Sequence, residues 1–288
     1  MQNDYTGLLV GMSKVGLDNQ KKEENDYFDA DGLLICGKCG CKKQAFIKMP
    51  AFGSERTIKV AVTCKCDDER VAERKRREEQ EQLRELAERM RRMSLMDAKY
   101  EAASFENCVV TEYNAQNFKL CRSYAKRFDE MMQKNQGMLM FGNVGTGKSY
   151  AAACIANALL NRNVPVVMTS FVKMLAALSN YDERAEEMMR LLANAHLVIF
   201  DDLGAERKTD YALEKVYDII DNRYRSNKPM IVTTNLSLDE MSAEVDIRLK
   251  RIYDRLFETC YPMQFTGPSW RETKMAANWN RMQKFLEG

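Results

Sequence analysis

Apolar positions in the second part of the chain gather into short unbroken runs separated by helical stretches. Met138–Phe141, Leu197–Phe200 and Met230–Thr234 are apolar or β-branched segments of strand length, and Tyr150–Leu160 reads as a helix. Strands that stay apolar on both faces belong in a parallel sheet covered by helices on each side. The alternation starts near Tyr100, so the pattern predicts an α/β domain with a central parallel sheet over residues 100–288.

Upstream the pattern changes. From Asp67 to Arg92 charges of both signs dominate, with acid-first pairs four apart at Glu73/Arg77, Glu85/Arg89 and Glu88/Arg92. That is the pattern of a solvated helix, a charged linker assigned to 68–99. Leu83, Leu86, Met90 and Met93 recur at threes and fours within it, which fits a packing stripe, a coiled-coil seam or simply the less polar side of a spacer. Residues 31–67 carry a cluster of cysteines, and Thr57, Ile58, Val60 and Val62 alternate like a short hairpin strand. Residues 1–30 are polar and show no period, so an arm that is poorly ordered or dependent on a partner is expected there.

Composition narrows the class. With 44 basic against 42 acidic residues the net charge is +2, so no global field drives nucleic-acid or membrane binding. No segment approaches the roughly 20 apolar residues that cross a bilayer. The N-terminus lacks the basic start and apolar run of a secretory signal, and the expected location is cytoplasmic, with no membrane partner. Nine cysteines in such a compartment stay reduced, so clustered ones point to metal ligation.

Gly142-Asn143-Val144-Gly145-Thr146-Gly147-Lys148-Ser149 stands directly after one apolar run and before the helical one. Glycines at those places let backbone N–H groups turn onto phosphate oxygens at the positive end of a helix. Lys148 adds a point charge, Ser149 a hydroxyl for Mg²⁺, and Tyr150 opens the helix, so residues 142–150 form the candidate nucleotide-binding segment. The run Leu197–Phe200 delivers Asp201 and Asp202 to the end of a strand where open α/β sheets bind ligands. Asp201 suits Mg²⁺ ligation through water and Asp202 suits orienting an attacking water; the plain alternative is a pair of helix caps.

Asp201-Asp202-Leu203-Gly204 also fits the D-x-x-G element of GTP-binding proteins. Asn227-Lys228-Pro229-Met230, however, puts a thioether where their guanine-reading carboxylate belongs, so ATP, with ADP as product, is the expected nucleotide. Asn235 closes the third apolar run and is placed for the γ-phosphate or the lytic water, or else caps the next helix. Arg248, Arg251 and Arg255 recur at helical spacing, and one guanidinium suits the charge on a transferring phosphoryl group; a solvated basic face is the alternative.

Cys36-x-x-Cys39-Gly40 has the form of a zinc knuckle, and Cys64-x-Cys66 completes four thiolates for a tetrahedral Zn²⁺. Cys41 is a fifth thiol that competes for the place of Cys39 or Cys66. Cys108, Cys121, Cys154 and Cys260 read as packing residues, and His196, the single histidine, as structural.

Taken in order, GNVGTGKS, LVIFDDLG, IVTTN, IYDRLFE and GPSWR resemble the DnaC/DnaI-type bacterial helicase loaders of the AAA+ class, over about residues 100–288. Ser104-Phe105-Glu106-Asn107 and Ala125-Lys126-Arg127-Phe128 are similar to the segment that precedes the P-loop in that family. The resemblance implies an AAA+ three-layer sandwich, with Asn235 as first sensor and Arg271 of GPSWR as second sensor. It implies Arg255 as an arginine finger acting on a neighbouring subunit's nucleotide, with Arg251 next in order, and hence self-association through AAA+ interfaces. It also implies slow ATP hydrolysis stimulated by single-stranded DNA, with DNA contact near Ser170–Met174, where Phe171 and Lys173 offer an aromatic ring and a base. For Phe171 helix core is the alternative. Some DnaI-type loaders have a similar N-terminal zinc module that docks on the helicase, so a small zinc-ribbon-like domain is expected over 31–67.

The expected function is ATP-dependent loading of a hexameric DnaB-type replicative helicase onto single-stranded DNA at the start of DNA replication. Two alternatives stand beside it. One is an IstB-type transposition helper, against which the cysteine module and charged linker speak. The other is a non-catalytic adaptor stabilised by nucleotide, against which the complete set of Lys148, Asp201 and Asp202 speaks.

Overall fold

In the computed structural model the chain divides into two compact units within one long helix, between Glu81 and Gln82. The structure describes residues 22–51, 54–94, 96, 98–178, 183–206 and 209–287. Residues 1–21, most of the expected arm, lie outside these.

The first unit pairs β1 (Tyr27–Phe28) with β2 (Leu34–Ile35) and β3 (Gln44–Ala51) with β4 (Ser54–Ala61), both antiparallel, before helix α1 (Lys65–Met93) begins. The alternating stretch read from the sequence is thus one arm of a real hairpin. Residues 22–30 belong to this module and not to an arm. Asp26 is buried, and its carboxylate accepts from Lys43 Nζ at 2.8 Å and from the backbone N–H groups of Glu23 and Gly37. A buried charge held by one counter-ion and two amides is satisfied, which is why this otherwise patternless stretch is fixed.

The second unit continues through α2 (Ala98–Glu101), α3 (Ala115–Lys126), α4 (Phe128–Gln133), β5 (Gly137–Gly142), α5 (Lys148–Leu160), β6 (Val166–Ser170), α6 (Phe171–Leu178) and α7 (Glu183–Asn194). It then runs through β7 (Leu197–Leu203), α8 (Asp210–Arg225), β8 (Met230–Thr234), α9 (Leu238–Ser242), α10 (Ile247–Thr259), β9 (Cys260–Phe265) and α11 (Trp270–Glu287). The five strands are all parallel in the order β6-β7-β8-β5-β9. Period-2 alternation splits each strand between two cores: Leu139, Phe141, Val198, Phe200 and Val232 face one side, Met138, Met140, Leu197, Ile199 and Ile231 the other. The result is three layers, with the small, fully buried Ala151, Ala152, Ala153 and Ala156 letting α5 lie close beneath the sheet.

The linker stripe is a docking edge. Met90 is fully buried and Leu86 packs beside it in the core that holds Phe171 and Phe200, while Leu83 stays partly exposed. The helix also starts earlier than the expected 68, so Cys66 lies in its first turn. Just past its end, Ser94 Oγ donates to Met168 O at 2.7 Å and accepts from the Met168 N–H at 3.3 Å, covering part of the free edge of β6. Phe171 stacks on Phe200 with ring centroids 4.9 Å apart, and neither ring is accessible. The aromatic expected to meet DNA is therefore core.

Buried Arg223 on α8 ties the N-terminal ends of β7 and β8 together. Its guanidinium donates to Leu192 O, Ala195 O, His196 O and Pro229 O, and burial lowers its pKa to about 9. Removing the donors strands several buried carbonyls at about 1–3 kcal/mol each. Arg223→Met should accordingly destabilise the second unit by about 3 kcal/mol or more in denaturant unfolding; a change under about 0.5 kcal/mol would show that the carbonyls find other partners.

Candidate functional site

The sheet order decides what meets what. Strand β8 lies between β7 and β5, so their C-terminal ends bring the loop after β5, the acids of β7 and Asn235 after β8 to one cleft. Lys148 is buried at the start of α5, and its Nζ donates to Gly142 O and Asn143 O at 2.8 Å and to Asn235 Oδ1 at 2.9 Å. Burial lowers its pKa, the nearby Asp202 and Asp201 push it back up, and Arg271 adds to the lowering.

The loop is held in shape from within and without. Thr146 Oγ1 donates to Asn143 O at 2.8 Å, and Gly142, Gly145 and Gly147 all have positive φ. A Cβ on Gly142 would collide with Phe265 O, and one on Gly145 with the Ser269 side chain. The N–H of Trp270, first residue of α11, donates to Gly145 O at 3.0 Å. The Gly267–Arg271 segment thus docks on the loop, and Arg271 lines the cleft with Val144, Lys148, Ser149, Tyr150, Asp202 and Asn235.

Asp201 lies deeper. Burial raises its carboxyl pKa, while hydrogen bonds from Thr233 and Ser149 oppose the rise. Ser149 and Asp201, the expected Mg²⁺ ligands, are therefore adjacent oxygen donors, the chemistry a hard divalent cation takes. Beside the loop an apolar recess of about 240 Å³ is lined by Asn107, Val109, Asn114, Phe118, Gly147, Tyr150 and Trp270. It shares Gly147, Tyr150 and Trp270 with the cleft, and its mostly apolar walls suit a nucleobase. The motifs named Gly147, Tyr150, Asn107 and Trp270 separately, but nothing in the sequence joined them with Val109, Asn114 and Phe118 into one recess, because residues 107–118 carry no period.

Arg255 stands apart. Its Nη2 lies 2.5 Å from Asp221 Oδ1 and donates to Tyr217 OH at 2.9 Å, Nη1 donates to Arg251 O, and the guanidinium sits over the Tyr217 and Tyr224 rings. It is committed within its own subunit. Arg248 is likewise taken, by Asp246 and Asp210. Arg251 is exposed and makes no ion pair among the described residues.

In the first unit the sulfurs of Cys36, Cys39, Cys64 and Cys66 lie within 4.8 Å of one another. Tetrahedral Zn²⁺ with Zn–S of about 2.3 Å spaces its sulfurs roughly 3.8 Å apart, so the four thiols fit that ion with little movement. The backbone N–H of Cys41 pulls the Cys39 thiol down to about 6, burial pushes Cys64 up to about 12, and a hydrogen bond with Cys39 pushes Cys66 up to about 11. A divalent cation binds such a set as thiolates and would deprotonate its ligands together. Cys41 Sγ instead points to Cys39 O at 3.8 Å, outside the cluster.

A family model described as IstB-like ATP binding protein matches residues 61–277. The replicative helicase loader DnaC of Escherichia coli strain K12 is 27% identical over 162 residues, 54% of this chain and 64% of that protein, so the match spans less than two thirds of its length. The replicative helicase loader DnaI of Bacillus subtilis strain 168 is 22% identical over 206 residues, 65% of this chain and 66% of that protein. A crystal structure of DnaI matches with a TM-score of 0.52 at 23% identity, over 61% of this chain and 94% of that one, a likeness of fold. The second unit thus shares the fold of that structure.

The thiol cluster generates a prediction. Purified protein should carry about one zinc per chain. Cys36→Ser or Cys64→Ser should lose it, while thermal unfolding of the second unit stays in place. Elemental analysis finding no zinc in the wild-type chain would refute the assignment.

Proposed function

We propose, from the premise that the chain belongs to the IstB-like ATP-binding protein family, that it is an ATPase that loads a hexameric DnaB-type replicative helicase onto single-stranded DNA. The observation that carries the hydrolytic part is the direct contact of Lys148 with Asn235 in a cleft that also holds Asp202 and Arg271. Loading is supported by the named relatives DnaC and DnaI and by the cysteine module joined to the ATP-binding unit.

The residues divide the work by position. The apolar recess takes the base, and the Gly142–Ser149 loop wraps the phosphates. Lys148 turns part of its donor set to the β- and γ-phosphate oxygens, which replace one of its present acceptors. Ser149 and Asp201 hold Mg²⁺, which when bound neutralises developing phosphate charge. Asp202 and Asn235 orient the attacking water, and Arg271 approaches the γ-phosphate from α11. Arg251, the exposed guanidinium one turn before Arg255, reaches the nucleotide of a neighbouring subunit.

A second reading, a transposition helper of the IstB type, has one observation in its favour: the matching family is described as IstB-like ATP binding protein. Capture of a transposase with duplex DNA, and not of the helicase, would favour it.

The site reading predicts that Lys148→Ala abolishes nucleotide binding and that Asp202→Asn still binds ATP while hydrolysis falls roughly 10²-fold. Equal ATP affinity in wild type and Lys148→Ala overturns it. The loading reading predicts that the wild-type chain, with ATP, places the replicative helicase on a single-stranded DNA circle and Lys148→Ala does not; no stable complex with the helicase sinks it.

The assignment to Arg251 is tested by mixing. Arg251→Ala keeps its phosphate loop and Lys148→Ala keeps its finger, so the two inactive proteins together should recover part of the ATPase activity where a good loop meets a good finger. Recovery with Arg255→Ala, and none with Arg251→Ala, would return the role to Arg255.

A further inference from the structure

Strand β7 does not run regularly into its two acids. Its register against β8 pairs Phe200 with Val232 but Leu203 with Thr234, so β7 spends one residue more than its partner over the same stretch. Asp201 and Asp202 occupy this bulge opposite Thr233, and Asp202 has a φ of +56°. Left-handed backbone costs a non-glycine residue roughly 1–2 kcal/mol and persists only where its surroundings hold it.

Thr233 supplies that hold with one hydroxyl. Its Oγ1 accepts from the Asp202 N–H at 2.9 Å and donates to Asp201 Oδ1 at 2.6 Å. A threonine hydroxyl has a single donor, and spending that proton on Asp201 Oδ1 fixes the orientation of the carboxylate. Thr233 has no exposed surface and does not line the cleft. The next residue, Thr234, closes the bulge in the same manner, its Oγ1 donating to Leu203 O at 2.8 Å.

We propose that Thr233 is a positioning residue for the hydrolytic reaction, orienting Asp201 toward the Mg²⁺ position and fixing the bulge that presents Asp202 to the attacking water. The inference rests on the hydrolytic reading given above. Bulges next to functional sites re-aim side chains, and outer partners of metal ligands act through the ligand's orientation. Asn235 follows the same strand, two residues after Thr233, so one segment aligns both acids and Asn235.

The test compares full-length variants that separate the hydroxyl from the volume. Thr233→Val keeps the shape and loses the hydroxyl; Thr233→Ser and Thr233→Ala share the lost methyl group and differ in the hydroxyl alone. The readouts are kcat and KM for ATP, and the affinity for Mn²⁺, used as the metal probe with ADP and followed by electron paramagnetic resonance.

Thr233→Val and Thr233→Ala should lower kcat roughly 10–100-fold, with KM within about threefold, and weaken Mn²⁺ binding by about tenfold. Thr233→Ser should stay within about threefold of wild type on both. If Thr233→Val does not fold, the Ser and Ala pair decides. Wild-type kcat and metal affinity in Thr233→Ala, or equal losses in Thr233→Ser and Thr233→Ala, overturn the proposal. A wild-type chain that hydrolyses no ATP defeats the hydrolytic reading, and the Mn²⁺ affinities then judge Thr233 by themselves.

Discussion

Lys148 Nζ is a buried ammonium whose three hydrogen-bond partners are all neutral oxygens, two from its own loop and one from Asn235. An ammonium has three donors, so this set saturates it. Its balancing charges, Asp201 and Asp202, act through space and not by contact. Such an arrangement keeps the loop closed around its own lysine, and it makes any phosphate a competitor for donors already in use. It also ties the loop after β5 to the end of β8, so the ligand-binding edge is held together across the strands by one side chain.

That contact depends on geometry set farther away. Asn235 reaches Lys148 because β8 is inserted between β7 and β5, and β8 keeps its place because both faces of each strand are apolar and covered. Arg223 works at the opposite end of the same strands, gathering four backbone carbonyls with one guanidinium and no carboxylate. The charged groups at the two ends of the sheet therefore have different uses. At one end a buried cation satisfies backbone that the turns leave unpaired; at the other, a buried cation is held where phosphate can reach it.

Much of the site was legible because its residues close unbroken apolar runs: the loop after Met138–Phe141, the acids after Leu197–Phe200, Asn235 after Met230–Thr234. A run of that kind states both that a strand exists and where it ends. The parts that stayed hidden depend on partners distant in the chain. Thr233 reads as an ordinary strand threonine until the β7 bulge places two aspartates opposite it. Asp26 looks like arm until Lys43 is found beneath it, and Met90 looks like one side of a spacer until the core receives it. The base-sized recess takes its walls from residues 107–118, α5 and the start of α11, and no local period announces such a meeting.

The arginines of α10 carry the same lesson into mechanism. Helical spacing makes Arg248, Arg251 and Arg255 equivalent on paper, and the resemblance chose the last. In the structure Arg255 is caged by Asp221, Tyr217 and Tyr224, all on α8. A guanidinium that is paired and stacked gains little by leaving for a neighbour's phosphate, since it would give up Asp221, which Arg225 also holds at 2.7 Å, and both tyrosine rings at once. The cage has another consequence: it clamps α10 to α8 along one side and so fixes the direction in which the exposed Arg251 projects. Helical spacing alone therefore does not separate the three arginines; their partners on α8 do.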